Sequence, residues 1–407
     1  MTRHIENSPK GNAPALSGSG SGSRSRFEAL DPADYSLPTD FSEHFVTPAL
    51  VVFVDKVREN LQWIVAAMGG EPARWRPHVK TSKIPAIFAE VAAAGVRHFK
   101  AATTREVHEL LRALRAAGIE GGDILLAYPI RAMALNRLGE LAAEYPEARL
   151  SVLVEDRDVL AQVPAGLDVF VDINPGMNRT GIPLNERATI AALARASGAR
   201  LAGLHFYDGH LHSGSDAERR VQAFAGYEAL LELTNFLDLE RPEIELITSG
   251  TPTFLAALDF EPFHSANGPL HRVSPGTVVY HDLRSEQENE RLELAPAAQV
   301  VAQVVSHPTP GLFTCDAGSK SIAAEAGDPL AFVLGHGEWS PQPASEEHLP
   351  VRVERGPLPS RGELVQLIPR HICPTVNLAE EAVLIEGGEI GDVVSVSARS
   401  HPLRARR

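Results

Sequence analysis

Four basic side chains crowd into eight residues of the stretch "WRPHVKTSKIPAIF" (75–88): Arg76, His78, Lys80 and Lys83. They stand where an apolar run ends and a helix should begin. Like charge and partial burial both disfavour an ammonium group, so Lys80 is expected to have its pKa lowered. A lysine of that kind can form a Schiff base with an aldehyde cofactor. An exposed lysine on a rim, with no chemistry attached, is the competing reading.

Two further stretches carry residues that could do chemistry. "PRHICPTVNL" (369–378) places His371 and Cys373 two apart. In an extended chain they share a side, so an imidazole and a thiolate could grip one soft or borderline cation, Zn²⁺ ahead of Mn²⁺. Two protein ligands are too few for a closed structural site, which leaves positions for water or substrate. A chance pairing of the two residues is the alternative. "SGTPT" (249–253) offers small residues whose backbone N–H groups could close on a phosphate around Gly250, helped by the hydroxyls of Ser249, Thr251 and Thr253. An ordinary strand-to-helix turn with a threonine cap explains the same residues.

The elements that must position these groups alternate regularly. Apolar runs at 49–54, 74–79, 96–101, 123–128, 149–154, 168–173, 200–206 and 243–248 read as strands, with helical periodicity between most of them. "TTREVHELLRALRAAG" (103–118) is the clearest helix: Thr103 and Glu106 fit a capping box and Gly118 closes it. Eight strands each followed by a loop and usually a helix predict a (β/α)8 barrel over 45–285, of the TIM type. An open doubly wound sheet is the alternative, but no G-x-G-x-x-G follows the first run. In such a barrel, catalytic groups lie after the strands' C-terminal ends. Lys80 follows the second run, "NPGMNRTG" (174–181) the sixth, "YDGHLHSG" (207–214) the seventh and "SGTPT" the eighth. From 286 to 407 short β-like runs broken by Pro and Gly predict a mostly antiparallel β domain carrying the His371–Cys373 pair. Residues 1–40, with the Gly/Ser-rich "SGSGSGSRSR" (17–26), are expected to be disordered.

Composition narrows the function classes. The chain has 407 residues, 44% of them hydrophobic, enough for a sizeable core. With 38 basic against 52 acidic residues and a net charge of -14, nucleic acid is not an expected partner. No apolar run reaches the roughly 18–20 residues of a membrane span and no signal-peptide core is present, so a soluble cytoplasmic protein is expected. The two cysteines, Cys315 and Cys373, are too few and too far apart for a disulfide framework.

Taken in order, "RPHVKTSK", "YDGH", "SGTPT", "SPGTVVYHD", "DAGSK", "SEEH" and "IPRHICPTVN" resemble the D-threonine aldolase / D-serine dehydratase group of the alanine-racemase-like, fold-type III pyridoxal-phosphate enzymes. The resemblance spans about residues 45–395. It implies an N-terminal (β/α)8 barrel holding pyridoxal 5'-phosphate, a C-terminal β domain and a homodimer. It also implies Lys80 as the Schiff-base lysine within R-P-H-x-K, which brings His78 beside the cofactor, with Lys83 only flanking. Gly250 and Thr251, next to Ser249, match the phosphate loop. Arg179 in "MNRTG" matches an arginine that approaches the cofactor ring, with Tyr207 at the same rim, and His371 and Cys373 match the metal pair. Three places depart from the family pattern: Ser82 stands where a histidine is usual, Val278 where an aromatic residue is common, and "YDGHLHSG" fits neither subgroup.

The implied substrate is a small D-3-hydroxy amino acid. D-threonine aldolase-like cleavage to glycine and an aldehyde needs a base for the β-hydroxyl proton, and His210 or His212 supplies one. Structural histidines bonded to Tyr207 or Asp208 are the alternative. D-serine dehydratase-like elimination to a 2-oxo acid and ammonia would use Lys80 as base at Cα, and H-x-C resembles the dehydratases. A cofactor carrier and a racemase are more remote. The C-terminal domain counts against the first; the second needs a tyrosine from that domain, whereas the six tyrosines end at Tyr280. "SEEH" (345–348) leaves Glu346, Glu347 and His348 unassigned between third metal ligand, dimer contact and solvated turn.

Overall fold

A computed structural model describes residues 26–239, 243–265 and 268–403. Two sheets organise them. The first is parallel and runs β2 (His98–Ala101), β3 (Asp123–Leu126), β4 (Arg149–Val154), β5 (Asp168–Asn174) with the short β6 (Ile182–Pro183) on it, β7 (Leu201–Phe206), β8 (Glu245–Thr248) and β9 (Leu270–Val273). Two isolated parallel bridges, Trp75 to Val273 and His78 to Lys100, fit the segment 75–78 between β9 and β2 and close the ring. The result is a (β/α)8 barrel.

The strand count in the sequence was right and the membership was off by one. The run at 49–54 forms β1 (Ala49–Phe53), but β1 pairs antiparallel with β10 (Ala298–Thr309) and parallel with β16 (Glu381–Glu386) in the second sheet. The barrel's last strand is instead β9, in which His271 and Arg272 interrupt the apolar pattern. Both are buried: Thr248 bonds His271 Nε2 at 2.8 Å, and Arg272 is paired with Glu245 at 2.5 Å. Lys80 therefore follows the first barrel segment, 174–181 the fifth strand, 207–214 the sixth and 249–253 the seventh.

The second sheet adds β11 (Leu312–Cys315), β12 (Ala331–Val333), β13 (Trp339–Pro341), β14 (Leu349–Val353), β15 (Leu364–Pro369) and β17 (Glu389–Ser395). Its pairings are antiparallel except for β1 with β16. Of the head expected to be disordered, residues 1–25 lie outside the described residues. Residues 26–40 are placed, with Phe27 and Tyr35 buried in one apolar cluster with Phe53, Val301 and Ile385. Burying two aromatic rings offsets the entropy of ordering that segment. Among the described residues no helix is long and apolar enough to cross a membrane.

The barrel interior is layered. At the strand starts lies a charged layer: Arg76 bonds Glu245 through Nε (2.6 Å) and Nη2 (2.7 Å), and Asp123 through Nη1 (2.9 Å). Leu125, Leu153, Phe170 and Ile247 form an apolar cluster above it. Toward the strand ends comes a polar layer of Lys100, Asp172, His205 and Ser274, all buried.

Candidate active site

A cavity of about 570 Å³ opens at the C-terminal face of the barrel, between the strand-end loops and the segment around the start of the helix Ile372–Leu378. Lys80 and His78 line it from the first barrel segment, Tyr207 and His212 from the loop after β7, and Gly250 and Thr251 from the loop after β8. His371 and Cys373 line it from the β domain. Residues more than 280 positions apart in sequence thus share one space because the β domain leans on the barrel mouth.

The cluster of positive charge expected around Lys80 is dispersed. Arg76 points to the opposite end of the barrel, into the charged layer. Lys83 ion-pairs with Glu106 at 2.8 Å, both buried. The capping signature explains this partner: Thr103 accepts from Glu106 N (3.0 Å) as expected, but the Glu106 carboxylate turns to Lys83 and to the N–H of Ala102 (2.6 Å). The cation that faces the same interior as Lys80 is Lys100, which the sequence reading passed over. Burial, then the charges of Lys80, Arg179 and Arg76, bring Lys100 down to about 7 despite Asp172. Its Nζ donates to His205 Nε2 (3.0 Å) and to Ser274 Oγ (2.9 Å), while His205 Nδ1 bonds Asp172 Oδ1 at 2.7 Å. Burial holds His205 at about 4, so it is neutral, with its proton on Nδ1 facing the carboxylate. Burial also pulls His78 well below the usual histidine range, with Lys80 and Lys100 adding to it.

The loop after β8 is built to approach an anion closely. Ser249 holds a left-handed backbone (φ 59°) and its buried hydroxyl has no hydrogen-bond partner, although it does not itself line the cavity. A Cβ on Gly250 would come within 3.0 Å of the Tyr207 ring and 3.1 Å of its hydroxyl, and one on Gly276 within 2.4 Å of the His78 carbonyl. Only glycine fits at Gly276. An orphaned hydroxyl beside two side-chain-free backbone positions fits a phosphate cradle, so the residues present suit pyridoxal phosphate. Thr253 is otherwise engaged: it donates to Asp208 Oδ1, and Tyr227 to Asp208 Oδ2, both at 2.8 Å. Arg179 does not line the cavity; its guanidinium lies 4.8 Å from the centroid of the Tyr207 ring.

The His371–Cys373 pair differs from the extended arrangement expected. His371 caps the helix Ile372–Leu378 and Cys373 is in its first turn, yet both side chains reach the cavity. Burial alone would push the Cys373 thiol up, but bonding to His371 and its charge bring it below the ordinary value. Burial lowers His371, and Cys373, Asp282 and Glu325 outweigh it, raising it to about 9. Thr81 and Thr277 bond the sulfur at 3.1 and 3.3 Å. A cysteine sulfur beside an imidazole is a donor set suited to a borderline divalent cation. Among the described residues no group of three or more His, Cys, Asp or Glu converges as a closed site.

His210 and His212 part company. His212 is exposed at the cavity, whereas His210 turns under the 174–181 loop, its Nε2 facing Gly176 and its Nδ1 buried without a partner. Glu346 and Glu347 ion-pair with Lys320 at 2.9 and 3.0 Å on the surface, so "SEEH" is an exposed turn. Tyr280 is buried and donates to the carbonyl of Ser82 (3.1 Å), bracing the first barrel loop.

With that geometry in view, comparison with known proteins is decisive on lineage. The family model for the alanine racemase N-terminal domain matches residues 52–283, more than half of the chain. The chain belongs to that family. A putative serine dehydratase domain matches residues 297–385. A D-threonine aldolase from Arthrobacter sp is 29% identical over 393 residues, covering 91% of this chain and 97% of its own. A 3-hydroxy-D-aspartate aldolase from Paracoccus denitrificans (strain Pd 1222) is 26% identical over 383 residues, covering 89% and 95%. The crystal structure of D-threonine aldolase from Filomicrobium marinum superposes with a TM-score of 0.74 at 26% identity, covering 87% of this chain and 95% of that one.

Proposed function

We propose that this member of the alanine racemase N-terminal domain family is a pyridoxal-phosphate-dependent, metal-assisted lyase that cleaves D-3-hydroxy amino acids to glycine and an aldehyde. The observation that carries the reading is that one cavity is lined by Lys80, Gly250 and Thr251, the His371–Cys373 pair and His212. Lys80 is the cofactor-bearing lysine in this reading. Ser249, Gly250 and Thr251 hold its phosphate, Tyr207 and His78 flank it, and Arg179 approaches from above Tyr207. His371 and Cys373 hold a divalent metal, Zn²⁺ by preference for the thiolate and Mn²⁺ as the other candidate. When bound, the cofactor supplies an electron sink at the substrate's Cα and the metal supplies Lewis acidity at its hydroxyl.

The chain's own residues then choose the bond. His212, exposed at the cavity, takes the β-hydroxyl proton, which directs the electrons into breaking Cα–Cβ. The neighbouring cations are already neutralised: Lys83 by Glu106, and Arg284 by Glu288 at 2.6 Å. Glu325 adds negative charge to the cavity lining. A neutral side chain such as that of D-threonine suits this lining better than a second carboxylate. A homodimer in the cytoplasm completes the reading.

Elimination to a 2-oxo acid and ammonia is the second reading. It is favoured by cysteine at 373 and by the match of residues 297–385 to a putative serine dehydratase domain. There Lys80 removes the Cα proton and hydroxide leaves from Cβ. Incubation of the purified protein with pyridoxal phosphate, Zn²⁺ or Mn²⁺ and D-threonine, followed by proton NMR, separates the two. Glycine with acetaldehyde is expected; 2-oxobutyrate with ammonia would transfer the reading to elimination.

A further inference from the structure

A histidine has two ring nitrogens, and which one faces a metal is set by what holds the other. His371 Nδ1 is engaged by the carboxylate of Glu325, which lies on the connection between β11 and β12 and has no place in the sequence motifs. That leaves Nε2 as the ring nitrogen available to a cation. We propose that Glu325 is a positioning residue for the metal pair, fixing the His371 ring so that Nε2 and the Cys373 sulfur present one bidentate grip to a divalent cation.

The inference rests on the reading of His371 and Cys373 as ligands. It concerns how they are oriented, and three further contacts support it. The backbone of His371 is already pinned, because Thr375 Oγ1 donates to its carbonyl (2.8 Å) and Ile372 N–H donates to Asp282 Oδ2 (2.9 Å). The same Thr375 hydroxyl accepts from Ala323 N (3.2 Å), lacing the Glu325 segment to the helix that carries the pair. With main chain and segment both fixed, ring rotation is the remaining freedom, and Glu325 removes it. The carboxylate also makes the imidazole a stronger donor, and with a Cys373 thiolate it balances the two positive charges of the cation. Among the described residues no third His, Cys, Asp or Glu joins the pair directly, so Glu325 acts through His371.

The test is zinc affinity of the full chain, measured at fixed pH by competition with a chromophoric chelator, with E325A, E325Q and H371A beside the unaltered protein. E325A is expected to bind zinc about 10–100-fold more weakly. E325Q, which keeps an acceptor but loses the charge, should fall between, and H371A sets the floor. The pyridoxal phosphate absorbance and the zinc-free melting midpoint of E325A should match the unaltered protein. E325A within twofold of the unaltered protein, while H371A binds weakly, would overturn the role of Glu325 and leave the ligand pair standing. A zinc affinity equal in the unaltered protein and H371A would overturn the ligand reading and this inference together. An early-melting E325A would overturn it in favour of a packing role.

Discussion

The two ends of the barrel interior handle charge in opposite ways. At the strand starts, Arg76, fully buried, is met by Glu245 and Asp123, Arg272 shares Glu245, and Arg149 reaches Asp123 (3.3 Å) and Asp168 (2.5 Å). Every charge in that layer has a counter-charge in contact. Toward the strand ends, Lys100 is just as buried but its hydrogen-bond partners are a neutral histidine and a hydroxyl, and burial drives it down to about 7. The closed layer spends its charges on one another and holds the barrel. The open layer leaves desolvated groups in sparse company below the cavity, the condition under which protonation states can be tuned for chemistry.

Substitutions can break this contrast on either side. The largest effect is expected at the open end: H212A should lower turnover of D-threonine by about 10²–10⁴-fold, the usual worth of a positioned base, with the cofactor absorbance retained. H210A, whose ring is under the 174–181 loop, should cost much less. At the closed end, R76A strands Glu245 and Asp123 and should destabilise the fold by about 3–5 kcal/mol, read from denaturant unfolding monitored by circular dichroism. A loss below about 1 kcal/mol would mean the layer is not the brace described.

The smallest effect sharpens the contrast through pH. Lys100 has its pKa lowered from 10.5 to about 7 in the fold, so between those values the unfolded chain binds more protons. Stability therefore rises with pH across that window, and the cost of burying Lys100 is full only below about 7. K100M should flatten the slope of unfolding free energy against pH between 7 and 10. An unchanged slope would place the titration elsewhere.

What the sequence could announce follows from the same physics. Alternation of apolar runs and helical periods was legible, and so were Lys80, the 249–251 turn and the His371–Cys373 pair, because each is a local pattern. Partnership was not local. The run 49–54 is apolar throughout and buried along most of its length, and nothing in its own residues says which sheet receives it. β9 hid because His271 and Arg272 look like loop residues until their buried partners are known. Lys100, His205 and Asp172 each interrupt an apolar run, the one signal that could have marked them as an inward-facing polar layer. Glu325 had no signal, since its meaning comes only from the ring it touches 46 residues later.

The central claim is that Lys80, at the open end, carries the cofactor. Reconstitution with pyridoxal phosphate, borohydride reduction, proteolysis and mass spectrometry would locate the attached pyridoxyl group directly. The account predicts it on the peptide containing Lys80, with the visible band absent in K80A. Attachment at Lys100 or Lys83, or a band that survives in K80A, would contradict it.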